Sequence, residues 1–101
     1  MIPTEKTLEN RLFDACKRNG IKCVKGQSRS NRGFPDRVLF DPIRNRIFYV
    51  ELKNETYYKQ TPQQKDWQKT IEKSGGQYVL LDGEEQVKLF IINFVMGGHR
   101  E

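Results

Sequence analysis

The sequence has little of what several functional classes require. It holds only two cysteines, Cys16 and Cys23, which do not form a CxxC pair, and one histidine, His99, far from both. A zinc site built from Cys and His is therefore not expected, and reduced thiols in a cytoplasmic protein are the default. No run of about 18 apolar residues exists, which argues against a membrane-spanning helix. The first residues lack the apolar stretch of a secretory signal, so the chain is expected to stay in the compartment where it is made. No repeat, low-complexity tract or linker interrupts it. Its 101 residues fit one domain, 1–101, with a single modest core. Apolar residues make up 36% and charged residues 31%, so that core has to come from a few narrow apolar stripes.

What the chain does have is positive charge, unevenly spread. The net charge is +5. Residues 1–35 contain eight Lys and Arg against Glu5, Glu9 and Asp14, while the remainder carries ten residues of each sign. The whole excess thus precedes Asp36. A local basic surplus suits a polyanionic partner, although a solvated surface would look the same.

Residues 4–19 read as a helix, with Thr4 as N-cap, Gly20 just past its end, and Leu8, Leu12, Ala15 and Cys16 at helical spacing. A short strand is expected at 21–25, followed by a polar, basic loop, Gly26–Phe34. Strands are expected at 36–40 and 47–53, joined by the turn-rich Asp41-Pro42-Ile43-Arg44-Asn45-Arg46. Thr61-Pro62 opens a second helix that Gly75-Gly76 closes. A fourth strand covers 78–81. Asp82-x-x-Glu85 reads as the capping box of a last helix reaching Met96. The order α-β-β-β-α-β-α predicts an α/β fold with a mixed central sheet flanked by helices.

The most informative grouping is Pro35-Asp36 followed, after fourteen residues, by Glu51-Leu52-Lys53. Strand side chains alternate, so Glu51 and Lys53 share a face. If the two strands form a hairpin, Asp36 lies beside Glu51, and two carboxylates meet an ammonium at one end of the sheet. Such a group can hold a hard divalent cation and steady an attacking water. Glu-x-Lys alone would more simply be an ion pair of Glu51 with Lys53 or Arg37. Glu9 sits at the edge of the first helix's apolar stripe, as either a third site carboxylate or a plain solvent-edge residue; Glu5 looks more exposed. Gln64 can reach Lys53 or a phosphate, or close a capping box with Thr61. Lys25, Ser28, Arg29, Ser30, Arg32 and Arg37 offer phosphate contacts of the kind that fix register without reading bases. Tyr57 and Tyr58 can stack on bases but are more simply incidental. Trp67 reads as core, and nothing is assigned to His99.

Taken in order, these residues resemble the VRR-Nuc family of the PD-(D/E)XK nuclease superfamily. The resemblance rests on Glu9 in the first helix, Gly33-Phe34-Pro35-Asp36-Arg37, Tyr49-Val50-Glu51-Leu52-Lys53, Thr61-Pro62-Gln63-Gln64 with Trp67, and Gly75-Gly76 before a strand. It covers about residues 5–82, and the layout is also similar to archaeal Holliday junction resolvases. It implies a restriction-endonuclease-like core and metal-dependent hydrolysis of DNA phosphodiesters. By the same resemblance Asp36, Glu51 and the Leu52 carbonyl hold Mg²⁺ or Mn²⁺, Lys53 acts on the water, Glu9 is the helix carboxylate near the metal and a further candidate ligand, and Gln64 is the helix amide of the site. The chain looks like the stand-alone form of phages and bacteria, which implies action in a bacterial or phage-infected cytoplasm.

Two further expectations concern partners. The last helix carries Val87, Phe90, Ile91, Phe94 and Val95 on one face, with Leu89, Ile92 and Met96 roughly opposite. A second apolar face suggests a homodimer, unless another part of the chain covers it. Two sites in a dimer would suit branched DNA such as a four-way junction. The rival readings are a non-catalytic nucleic-acid-binding module and a small interaction protein.

Overall fold

The computed structural model describes residues 3–26, 30–54 and 59–97. Helix α1, Glu5–Arg18, begins where the Thr4 hydroxyl accepts from the Thr7 N–H at 3.1 Å. It buries Leu8, Leu12, Ala15 and Cys16. Strands β1 (Lys22–Lys25), β2 (Arg37–Asp41) and β3 (Arg46–Lys53) follow, then helix α2 (Pro62–Lys73), strand β4 (Gln77–Asp82) and helix α3 (Glu84–Phe90), which runs into a π-helical turn, Ile91–Met96. The sheet order is β1-β2-β3-β4, antiparallel except for the parallel β3–β4 pair. The parallel pair requires a crossover, and α2 provides it. The fold is the mixed α/β layout expected, with strand and helix ends shifted by a residue or so. Among the described residues no helix is long and apolar enough to cross a membrane.

Alternation divides the sheet into two unequal faces. Leu39, Phe48, Val50, Leu52, Val79 and Leu81 point one way and pack with α1, Val87, Phe90 and Val95 into the main core. The opposite face carries Val38, Tyr49, Glu51 and Tyr78 and lies under α2. There Ile71 is buried and Trp67 is half-buried rather than core. Phe34 links that side, with edge-on ring contacts to Trp67 (centroids 4.9 Å apart) and Tyr49 (6.1 Å).

Two features of the C-terminal region differ from the sequence reading. Asp82 does not cap α3, because its pairing with Lys53 keeps it in β4. The N-cap is Gly83, at φ 100° and without a side-chain cap, and the Asp82 N–H donates to Gln86 Oε1 at 2.8 Å. The π-helical turn then changes the angular spacing of the last residues, since its hydrogen bonds span five residues instead of four. Phe94 leaves the buried face and is 45% exposed, stacked on Phe90 at 5.3 Å, while Val95 is buried. Leu89, Ile92 and Met96 are exposed, as the two-faced pattern implied.

The β2–β3 turn contains an ion cluster that anchors this C-terminal segment. The Asp41 side chain is fully buried. It accepts from Arg44 Nη1 and Arg46 Nη2, both at 2.7 Å. The same guanidiniums reach the carbonyls of Val95 (3.4 Å) and Phe94 (2.7 Å). Burial opposes ionisation of Asp41, but the hydrogen bonds from Arg46 and Arg44 outweigh it and hold the carboxyl below its ordinary value. Removing one member of a buried pair strands the other charges, so Asp41→Ala is expected to cost about 3 kcal/mol in denaturant unfolding. A depressed carboxyl stabilises the fold above its unfolded pKa and ceases to do so as pH falls through the folded value. The wild-type advantage should therefore shrink below about pH 4, which urea titrations of both proteins at pH 3 and pH 7 would measure.

Candidate active site

The β2–β3 register pairs Arg37 with Val50. Carried one step further, it sets Asp36 opposite Glu51, on the face beneath α2. Asp36 is fixed from both sides: its carbonyl accepts from the Gly26 N–H at 2.9 Å, and its Oδ2 accepts from the Leu52 N–H at 2.8 Å. In a strand the N–H and C=O of one residue point to the same side. The Leu52 carbonyl therefore also faces the gap beyond the end of β2, beside Asp36. Lys53 lies on the face of Glu51, with Nζ 4.0 Å from Glu51 Oε2.

Glu51 is 0% exposed on a central strand. Its Oε2 accepts from Gln64 Nε2 at 3.1 Å. Gln64 has two jobs that the sequence reading posed as alternatives. Its Oε1 accepts from the Thr61 N–H (2.9 Å) and its own N–H donates to the Thr61 hydroxyl (3.1 Å), so the capping box is closed. The Nε2 group of the same amide is what reaches Glu51. Gly33 makes this approach possible: at φ 84° it packs so tightly on the first turn of α2 that a Cβ there would lie 2.6 Å from the Gln63 carbonyl carbon. The loop before Asp36 and the helix carrying Gln64 are thus wedged together.

Burial disfavours charge on both carboxyls. Desolvation, followed by the negative charge of Asp36, pushes Glu51 up to about 8. Asp36 is also raised, by burial first, although the Leu52 N–H and the Lys53 charge oppose this. Glu51 Oε1 is buried with no hydrogen-bond partner. An orphaned carboxylate oxygen, a second carboxylate and a strand-end carbonyl are hard oxygen donors, and they fit a cation such as Mg²⁺ or Mn²⁺. Among the described residues no group of three or more His, Cys, Asp or Glu side chains converges, so the donor set is two carboxylates plus backbone.

The other candidates are distributed around this pair. Glu9 Oε1 accepts from Arg37 Nη2 at 3.2 Å, and Arg37 also donates to the Asp36 carbonyl at 3.2 Å. Arg37 thus faces inward, on the α1 side of the sheet, rather than toward an external phosphate. Lys25, Ser30 and Arg32 are exposed, with Arg32 beside Pro62, Gln63 and Asp66 at the start of α2. Ser28, Arg29, Tyr57, Tyr58 and His99 lie outside the described residues. Glu5 differs from its sequence reading: it is half-buried like Glu9, and its charge contributes to raising Glu51. Its position four residues before Glu9 was the available signal. A further group had none. Gln60 Nε2 donates to Gln68 Oε1 (2.9 Å) and to the Tyr78 hydroxyl (3.1 Å), tying the approach to Thr61 onto β4.

No family model matches this sequence, and no curated protein does. Solved structures do. One, described as "VRR_NUC domain", superposes with a TM-score of 0.77 at 22% identity, over 91% of this chain and 99% of its own. Another, "VRR_NUC domain protein", gives 0.68 at 17% identity, over 94% and 90%. The chain has the fold of a VRR-Nuc domain.

The raised Glu51 has a consequence for stability. A carboxyl raised on folding favours the native state while protonated, and that advantage is lost as pH climbs from the unfolded value through about 8. In chelator, Glu51→Gln should therefore be more stable than wild type at pH 8, by roughly 2–4 kcal/mol, with the gap closing near pH 5. A divalent cation should raise the wild-type melting temperature and leave that of Glu51→Gln nearly unchanged. Calorimetry at both pH values, with and without cation, tests this.

Proposed function

We propose that the chain is a nuclease: a Mg²⁺- or Mn²⁺-dependent endonuclease hydrolysing DNA phosphodiesters, acting on branched DNA such as four-way junctions as a homodimer in a bacterial or phage-infected cytoplasm. The observation carrying this reading is the pairing of Asp36 with a buried Glu51 whose Oε1 has no partner, beside the Lys53 ammonium. An ordinary cross-strand ion pair needs neither the burial nor the second carboxylate. The names of the structural neighbours and the resemblance in motif order support the same chemistry.

Asp36, Glu51 and the Leu52 carbonyl would hold the cation. When bound, it supplies Lewis acidity toward a phosphate oxygen and acidifies water. The protein's own groups do the rest. Gln64 pins Glu51 Oε2 while its other end is held by the helix cap, which fixes the carboxylate's rotation. Lys53 orients the attacking water and offsets charge that accumulates on the phosphate in the transition state. Glu9 acts through Arg37, and Glu5 adds a negative charge near Glu51 that favours cation over anion at that spot. Lys25, Ser28, Arg29, Ser30 and Arg32 hold flanking phosphates. Leu89, Ile92 and Met96, exposed together, form the dimer face.

The test is cleavage of linear, flapped and four-way DNA with Mg²⁺ or Mn²⁺, against EDTA. Lys53→Ala should lose about 10²-fold or more in cutting while junction binding persists, because its work is on the transition state. Asp36→Ala and Glu51→Ala should lose cation binding as well. Wild-type cutting by the Lys53 variant would end the assignment, and binding without cutting by the wild type would leave a passive binding module. Replacing Arg29 and Arg32 together by Ala should weaken all DNA equally and flatten the salt slope by roughly one to two units. For the dimer, sedimentation at micromolar concentration should give twice the chain mass and revert to one with Leu89→Glu and Ile92→Glu. A wild-type monomer there, or a dimer indifferent to both changes, excludes this interface.

A further inference from the structure

Both cysteines of the chain lie on the α1 side of the sheet, the face opposite the carboxylate pair. Cys16 belongs to the buried stripe of α1, with Leu8, Leu12 and Ala15, and it is fully buried in the main core. Cys23 pairs with Leu39 across β1–β2, so its side chain shares the face of Leu39 and Arg37, toward α1. It is half-buried and packs against the core that contains Cys16. The Ile21 N–H donates to the Cys16 carbonyl at 2.9 Å, which folds β1 back under the end of α1. Both side chains therefore enter the same end of the core, between α1 and β1. Their influence on one another is the largest on each: it raises Cys16 and lowers Cys23, with the Arg37 cation also favouring the Cys23 thiolate. Neither is bonded to the other in the structure, and both are free cysteines.

We propose that Cys16 and Cys23 are an oxidisable dithiol, a modification site that closes to an intramolecular disulfide under a peroxide and ties α1 to β1. Two isolated apolar cysteines would each pack as small hydrophobes. Facing thiols, one buried and one reached from solvent, are instead the arrangement of an attacking and a resolving cysteine. The Cys23 thiolate attacks one peroxide oxygen, the S–O bond forms as the O–O bond breaks, and hydroxide leaves. The Cys16 sulfur then attacks the Cys23 sulfenic sulfur. The S–S bond forms, the S–O bond breaks, and the departing hydroxide takes the Cys16 proton as water. Two thiols and one peroxide become one disulfide and two waters. The proposal does not rest on the nuclease reading, because it needs no role for Asp36, Glu51 or Lys53.

The experiment treats the full chain with stoichiometric hydrogen peroxide, then adds N-ethylmaleimide in denaturant and records intact mass and a tryptic map. Lys17, Arg18 and Lys22 lie between the cysteines, so trypsin separates them unless a disulfide joins the fragments. The expected result is a loss of two hydrogens, no added maleimide, a linked peptide pair, and reversal by dithiothreitol. Cys23→Ser should abolish the mass loss and take up one maleimide; as the half-buried member it also serves if Cys16→Ser fails to fold. Oxygen retained on Cys23, a disulfide between two chains, or two maleimides after oxidation would overturn the proposal.

Discussion

A carboxylate sits in the middle of a sheet where it is hard to charge, and the surrounding structure answers to that fact. Glu51 occupies a central strand with no solvent exposure, across from a second carboxylate. Isolated, it would be costly. What makes it tolerable is local: an amide from α2, an ammonium two residues on, and a neighbouring strand end that offers Asp36 to a backbone N–H. The chain retains a group that works against folding when ionised, and a buried, shifted carboxyl of this kind is a mark of a candidate functional site.

The supports of Glu51 come from separate places in the sequence, and each is held by an unrelated device. A tight glycine contact brings the segment before β2 against α2. The Thr61 cap orients the amide. The chain of Gln60, Tyr78 and Gln68 secures the approach to that cap. On the far side, α1 is tied by the Arg37–Glu9 pair and the main core. The Asp41 cluster lies at the other end of the β2–β3 hairpin and holds the C-terminal turn. The hairpin therefore has one buried acid at each end: one neutralised by two guanidiniums, the other left short of a partner.

Much of this was legible in the sequence because it follows from periods and punctuation. Period-two alternation put Glu51 and Lys53 on one face, and hairpin geometry brought Asp36 alongside. Apolar stripes and caps located α1 and α2. What escaped depends on contacts that no local pattern encodes. The two ends of the Gln64 amide serve two partners, which spacing cannot reveal. Asp41 read as a turn residue because its partners, Arg44 and Arg46, were ordinary turn neighbours until the C-terminal carbonyls joined them. Asp82 lost its capping role to strand pairing with Lys53, and Phe94 its buried place to a change in helical pitch. Glu5 read as exposed because a helix stripe does not say where the neighbouring sheet ends.

The β2–β3 register also governs which genetic changes the site can survive. Asp36 meets Glu51 only because the same number of residues runs down β2 as climbs β3 on either side of the turn. An inserted or deleted residue within either strand would shift one carboxylate past the other and turn it to the opposite face. Point substitutions can be absorbed one at a time by neighbours, but a length change here leaves no intermediate form in which the pair is half aligned. Within the two strands, the count of residues between each acid and the turn is in effect a fixed unit of inheritance, free to vary in letters and closed to variation in number.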